Sequence, residues 1–335
     1  MKNPLSAIII TNAAELVPLQ VFMARYVHQW AAGTDSTSRA KRNDLSHFVA
    51  FLLQNVAPLT SLSIWDLSPE LLRRWISQLL EREKPTTVAR RLATVKHMLL
   101  FCRRHVPAFG DWISIVKAPT IQTPAPRWMP GDATKRILVA SNFGKNDFER
   151  TRNRFVVNCL FLTGIRPGEL IAIKMSQVDF ELRKFSQVRC KGNQFRDVAL
   201  PGPLLPILGE YLLQRKALLE KSGVKAGGDS PLVVTDARRA KHGPMNYRTL
   251  NRIFHQTAKR AGLVGLTPHQ GRHTYAHNLY EQTKDLMIVK AACGHRSATS
   301  SERYVETQRD DVVREIELNA ENIRKRIYDE EDEAA

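Results

Sequence analysis

Residues 266–305 read LTPHQGRHTYAHNLYEQTKDLMIVKAACGHRSATSSERYV. Thr267-Pro268 predicts a helix start: a hydroxyl N-cap followed by proline at the first helical position. His269 and Arg272, at i and i+3, then share one face of the first turn. Free N–H groups and the positive end of the helix dipole make that turn suited to a phosphate. The apolar run Leu286 to Cys293 predicts another helix, ended by Gly294-His295, and Tyr304 follows nine residues on. An arginine and two histidines near a tyrosine point to one reaction. The tyrosine attacks a phosphodiester, the arginine holds the non-bridging oxygens, and the imidazoles move or share protons. A lone HxxR or a lone late tyrosine carries little information; the ordered set carries more.

The composition agrees with a phosphate-bearing partner. Lys+Arg number 50 against 33 Asp+Glu, a formal charge of +17. Such an excess predicts a polyanion, nucleic acid first, over a basic surface kept for solubility. At 335 residues the chain has room for two domains with their own cores. Cys102, Cys159, Cys190 and Cys293 are far apart and form no CxxC pair, which argues against a disulfide framework or zinc module and for a reducing compartment. No apolar run approaches a membrane span, and the N-terminus is poor as a signal peptide. A cytoplasmic, nucleoid-associated location is expected, with no membrane partner.

Outward from the opening stretch, the chain divides in two. Residues 1–14 read as a loose arm and 15–116 as a helical domain. Helices are expected over Leu16 to Trp30, Ser38 to Asn55, from Ser68-Pro69, and from near Thr86, with Leu45, Phe48, Leu52, Leu72, Trp75, Leu92, Val95 and Leu99 turned inward. The opposite face of the fourth helix carries Arg90, Thr94 and His97; that of the second carries Arg39, Asn43 and His47. These six are the candidate DNA-contacting residues, since a basic helix face can enter a major groove. A solvated face is the plainer alternative. Residues 117–130, KAPTIQTPAPRWMP, hold four prolines and read as a semi-rigid linker.

The second domain, residues 131–308, opens with helices over Asp132 to Ser141 and Asp147 to Leu162. Then comes Thr163-Gly164-Ile165-Arg166-Pro167-Gly168-Glu169-Leu170, where glycine ends one helix and Pro167 starts the next. Arg166 therefore sits at a helix start, within reach of Glu169. Strands are expected at 178–180, 185–190 and 195–200, with Lys191-Gly192-Asn193 as a hairpin turn, putting Lys191 at a mobile tip. A helix over Leu204 to Lys221, a glycine-rich loop, a short strand at Leu232 to Val234 and a helix over Asn246 to Ala261 follow. Residues 309–335 form a final amphipathic helix and an acidic tail, the helix able to pack on its own domain or on a neighbouring subunit.

At this point the residues resemble the tyrosine recombinase (phage integrase) family. The resemblance rests on TGIRPGEL around Arg166, CKGN with Lys191, HQGR with His269 and Arg272, GH with His295, and Tyr304 at the family's usual spacing. It covers roughly 131–310, and more loosely the helical domain. It implies a mainly α fold with a small antiparallel β-sheet: a helical core-binding domain and a catalytic domain forming a clamp around DNA. It further implies that Tyr304 is the nucleophile of a 3′-phosphotyrosyl link, that Arg166 and Arg272 clamp the scissile phosphate, and that Lys191 protonates the leaving 5′-oxygen. By the same resemblance His269 accepts and donates a proton, His295 hydrogen-bonds the phosphate and Glu169 supports Arg166.

Two guanidiniums and a lysine neutralise the growing charge, so neither a metal nor ATP nor another cofactor is expected. The expected partners are double-stranded DNA carrying a specific recombination site and a homo-tetramer on two sites, monomeric or dimeric when free, with an accessory protein as a further partner. Integration, excision or resolution of mobile DNA is the expected setting. No arm-binding domain of the lambda type is expected before Glu15. Members often carry leucine before the second arginine; here Gly271 stands there, which on propensity alone loosens the first turn by about 1 kcal/mol relative to alanine.

Three other readings compete. His269, His273 and His277 are spaced for zinc, but the HExxH glutamate is missing. A type IB topoisomerase-like enzyme would share the catalytic set yet act as a monomer and reseal its own strand. A non-catalytic DNA-binding accessory protein would need none of it.

Overall fold

A computed structural model of the chain describes residues 18–121, 128–190, 194–236 and 242–294. The chain divides into two compact units, Met1–Thr123 and Pro124–Ala335. Within the described residues it is mainly helical, with one small antiparallel sheet.

The first unit holds α1 (Leu19–Trp30), α2 (Ser36–Asn55), α3 (Pro69–Leu80) and α4 (Pro85–His105). Their starts follow local chemistry. Asp35 Oδ1 accepts from the Thr37 and Ser38 backbone N–H groups ahead of α2. Ser68 Oγ accepts from Leu71 N at 3.2 Å, with Pro69 at the first helical position. α1 begins three residues later than its apolar pattern suggested, after Pro18, which is extended. Phe22, Tyr26, Phe48, Trp75, Leu92 and Leu99 fill the core.

The second unit is built around α6 (Asp147–Thr163). Phe155, Val156, Val157, Cys159, Leu160 and Phe161 are all buried, as in a helix enclosed on every side. Around it lie α5 (Gly131–Ala140), α7 (Pro167–Ala172), α8 (Leu205–Lys221), α9 (Tyr247–Arg260), α10 (Pro268–Thr283) and α11 (Leu286–Cys293). Two glycines set how α10 meets α6. Gly164 ends α6 at φ +61°, and a Cβ there would fall 2.2 Å from the Tyr275 ring. At Gly271 a Cβ would stand 3.2 Å from Leu160 Cβ and 3.3 Å from its carbonyl carbon. Gly271 thus marks a close helix–helix approach, which propensity alone does not show.

The strands β1 (Val178–Asp179), β2 (Lys184–Arg189) and β3 (Phe195–Ala199) pair antiparallel in that order. A bulge lies between Phe185 and Val188, where Gln187 takes φ 52° and its N–H donates to Asp197 Oδ1 at 3.0 Å. Past β2, Cys190 N donates to Gln194 O at 2.7 Å, on either side of residues 191–193. The strand expected at Leu232 to Val234 is instead a buried extended segment with isolated bridges. Pro231 and Pro244 are themselves members of those bridges, with Lys174 and Val234, and have no N–H with which to extend a ladder.

The last residues of the expected linker belong to the second unit. Met129 is buried in its core and donates its N–H to Thr274 Oγ1 at 3.0 Å. Trp128 stacks on His277 with ring centroids 4.2 Å apart. Among the described residues no helix is long and apolar enough to cross a membrane.

Candidate active site

Four of the residues expected at the catalytic centre, Arg166, Glu169, His269 and Arg272, fall among the described residues, and the structure brings them to the adjoining ends of α6, α7, α10 and α11. Lys191, His295 and Tyr304 lie outside the described residues, as do the expected final helix and acidic tail.

Arg166 is the residue before α7, extended at φ −69° and ψ 142°, because Pro167 disfavours helical geometry at the position before it. Glu169, on the first turn, reaches back. Its Oε2 accepts from Arg166 N at 3.1 Å and its Oε1 from Arg166 Nη1 at 2.6 Å. Arg166 Nη2 donates to the Gly294 carbonyl at 3.2 Å. The Glu169 side chain is 6% exposed, and that of Arg166 31%. Burial alone would raise the Glu169 carboxyl. The Arg166 hydrogen bonds and the Arg196 charge outweigh it and hold the group below the ordinary carboxylate range.

Arg272 points inward from α10. Its Nη1 donates to the Gly164 carbonyl at 2.7 Å and its Nη2 to the Cys293 carbonyl at 2.5 Å. The two arginines thus bind adjacent carbonyls, of residues 293 and 294, at the C-terminal end of α11. There the helix carries its partial negative charge. Arg272 is 5% exposed; burial first, then the Arg166 and Arg196 charges, depress its pKa, while the Cys293 side chain opposes them. The site concentrates positive charge of the sort that stabilises a developing oxyanion.

His269 precedes Arg272 by one turn and stays accessible at the surface. The protein packed around it, and then the Arg272 and Arg166 charges, push its imidazole below 6.5, so the neutral form that can accept a proton is favoured near neutral pH. Thr267 is the N-cap of α10 with Pro268 at the first helical position, as expected, and Gln270 closes the cap: its Oε1 accepts from Thr267 N at 2.6 Å. Among the described residues no three potential metal ligands cluster. His277, one of the three histidines at zinc spacing, lies under Trp128 instead.

Arg196 was not singled out by the sequence. From β3 it donates through Nη2 to Glu169 Oε2 at 2.9 Å and through Nη1 to the Ala292 carbonyl at 2.6 Å. The signal was present: strand alternation puts Arg196 on the face of buried Val198 and Leu200, an unusual register for a charge.

In the first unit, Arg39, Asn43 and His47 are exposed along α2. The α4 residues are differently held. Arg90 is exposed but bonds Asp44 at 2.5 Å, and buried Thr94 donates its hydroxyl to Asp44 Oδ2 at 2.9 Å. His97 Nδ1 lies 2.8 Å from the Tyr26 hydroxyl, and its ring meets Trp30 edge-on at 5.0 Å. Burial pushes Tyr26 up to about 12, so its hydroxyl stays protonated. Asp44, 1% exposed, joins the two candidate faces and was not among the residues picked from sequence.

Comparison with known proteins places the chain. The phage integrase family model matches residues 127–310, and the chain belongs to that family. Among curated relatives, tyrosine recombinase XerC of Mycobacterium sp. (strain JLS) is 29% identical over 277 residues, covering 81% of this chain and 88% of that protein. Tyrosine recombinase XerA of Pyrococcus furiosus is 31% identical over 157 residues, 47% of this chain and 50% of that protein. Among solved structures, XerH recombinase bound to a palindromic difH substrate, in a post-cleavage complex, matches with a TM-score of 0.66 at 16% identity, covering 89% of this chain and 88% of that one. A lambda integrase tetramer bound to a Holliday junction matches with a TM-score of 0.61 at 16% identity, covering 87% and 78%. At these identities the structural likeness is one of fold. The family places the chain with DNA-cleaving and rejoining recombinases, and neither the topoisomerase-like nor the binding-only alternative is favoured.

Proposed function

We propose that this tyrosine recombinase cleaves each DNA strand with Tyr304, storing the phosphodiester bond energy in a 3′-phosphotyrosyl link and freeing a 5′-hydroxyl. The observation that carries the reading is the pair of guanidiniums, Arg166 and Arg272, anchored on the neighbouring carbonyls of Gly294 and Cys293 beside neutral-leaning His269. Such a pair can hold both non-bridging oxygens of one phosphate while each keeps its own anchor. His269 takes the Tyr304 proton, Lys191 delivers one to the leaving 5′-oxygen, and His295 bonds the phosphate. Glu169 keeps Arg166 in place. Rejoining runs the same steps backwards with a 5′-hydroxyl from the partner strand. Neither a metal nor a cofactor is required, because the bond energy stays in the link and protein cations carry the charge.

The substrate is a duplex with a specific recombination site. Arg39, Asn43, His47, Arg90, Thr94 and His97 form the recognition face of the helical unit, with Asp44 presenting Arg90. Four copies act on two sites, and the free protein is a monomer or dimer in the cytoplasm at the nucleoid. The setting is integration, excision or resolution of mobile DNA. The test is a two-site reaction on DNA flanking the gene. Holliday junctions and exchanged products are expected; relaxation of supercoils by a single copy, with no junction, would contradict recombination.

A further inference from the structure

Arg196 makes contacts that no role assigned so far requires. Its Nη2 holds Glu169 Oε2 at 2.9 Å and its Nη1 holds the Ala292 carbonyl at 2.6 Å. Its side chain is 12% exposed, and its stem runs across Gly294: a Cβ at that residue would come within 2.7 Å of Arg196 Cδ and 2.8 Å of Nε. Gly294 has φ +61°, the left-handed geometry that ends α11, so glycine there serves both the turn and the passage of the arginine.

The Glu169 carboxylate is therefore shared. One oxygen takes the Arg166 guanidinium; the other takes the Arg166 backbone N–H and Arg196. Arg166 in turn touches the Gly294 carbonyl, and Arg272 the Cys293 carbonyl. The carbonyls of residues 292, 293 and 294 thus each receive a different arginine. Arg196 comes from the sheet and bridges α7 to α11, the two elements whose Glu169 and terminal carbonyls anchor Arg166 and Arg272.

We propose that Arg196 is a positioning residue of the phosphate clamp: it fixes Glu169, and through it Arg166, against the carbonyl end of α11. Arg196 spends its two terminal nitrogens on Glu169 and Ala292 and does not touch the phosphate. The proposal rests on the reading of Arg166 as a phosphate ligand. A planar fork is needed, because the two bonds leave one guanidinium in different directions; a lysine keeps the charge but cannot make both with the same geometry.

The test compares two substrates in one protein sample. Nicked suicide duplexes carry either a normal phosphodiester or a neutral methylphosphonate at the cleavage site, whose charge a clamp arginine no longer has to neutralise. Arg196→Gln and Arg196→Lys are expected to slow cleavage of the charged substrate by about 30-fold or more and of the neutral one by less than about 3-fold. Arg166→Ala is expected to show the same pattern more strongly. The ratio between substrates does not depend on the fraction of folded protein, so partial unfolding cannot imitate it. Equal slowing on both substrates, or wild-type rates, would overturn the proposal. If Arg166→Ala itself shows no substrate dependence, the clamp reading falls first, and that failure is distinguishable because it appears without any change at Arg196.

Discussion

Glu169 grips Arg166 at two points, its Oε1 on the guanidinium at 2.6 Å and its Oε2 on the backbone N–H at 3.1 Å. The arginine is thereby fixed in both side chain and main chain by a carboxylate that is nearly out of solvent. Burial opposes ionisation of Glu169, but the Arg166 bonds and the Arg196 charge prevail, so its folded pKa lies below the ordinary 4.5. The sign follows from linkage. The stabilisation is fully present above the unfolded value, and is lost as pH falls through the lower folded value. Glu169→Gln is expected to remove that acid-side loss from the pH–stability curve. It should also slow strand cleavage by about 10- to 100-fold, the worth of one charged hydrogen bond. Thermal melts at stepped pH and single-turnover cleavage check the two parts.

His269 should titrate below 6.5 in the DNA-free protein, since partial burial and the Arg272 and Arg166 charges all disfavour the imidazolium. A bound phosphate offsets those charges, so on duplex DNA, in Tyr304→Phe, the value should rise. Imidazole NMR titration with and without the site measures both. A free-protein value above 6.5, or a fall on binding, would contradict the placement of His269 beside the arginine pair.

Gly271→Ala should bring no gain in Tm. Helix propensity alone favours alanine by about 1 kcal/mol. The new Cβ, however, would meet the Leu160 backbone at 3.3 Å, so α10 has to shift on α6. Arg272, the next residue, would move with it. A variant that melts higher and cleaves normally would show that the approach of the two helices has slack.

Asp44→Ala should destabilise the helical unit by about 1 to 3 kcal/mol, the cost of leaving buried donors without their acceptor. Asp44 is 1% exposed, pairs with Arg90 at 2.5 Å and lies 3.6 Å from buried Arg91, whose Nη1 has no hydrogen-bond partner among the described residues. Removing the carboxylate leaves Arg91 with Glu83, which accepts from its Nε at 2.7 Å and its Nη2 at 2.8 Å, but strips Nη1 of its neighbouring charge, and Arg90 and the Thr94 hydroxyl of their shared acceptor. Arg90→Ala leaves Asp44 with Thr94 and Arg91, so it should cost less stability and weaken DNA binding. Chemical denaturation and DNA titration separate the two variants.

Local signals in the chain carried much of this fold. Ser68-Pro69 started α3, Thr163-Gly164 ended α6, and the expected last two strands paired as β2 and β3, while the turn expected at 191–193 lies outside the described residues. The cluster of Arg166, Glu169, His269 and Arg272 was also legible, because short motifs keep these residues next to helix ends. What the sequence did not disclose depends on contacts between distant segments. Gly271 looked like a loosened turn until Leu160 was found against it. The carbonyls of residues 292–294 have no side-chain signature, so the anchoring of three arginines on one helix end was invisible. The strand expected at 232–234 formed only isolated bridges because Pro231 and the segment's distant partner Pro244 cannot donate, and the pairing of Pro244 with Val234 is not written in the local sequence.

The most direct measurement is a covalent trap. The protein is mixed with nicked duplexes tiled across DNA flanking its gene and run on denaturing gels beside Tyr304→Phe. The account predicts a protein–DNA adduct with the wild type, attached through a 3′-phosphate, and none with the variant although it still binds DNA. An adduct that persists in Tyr304→Phe, or tight site-specific binding by the wild type with no adduct on that site, would contradict it.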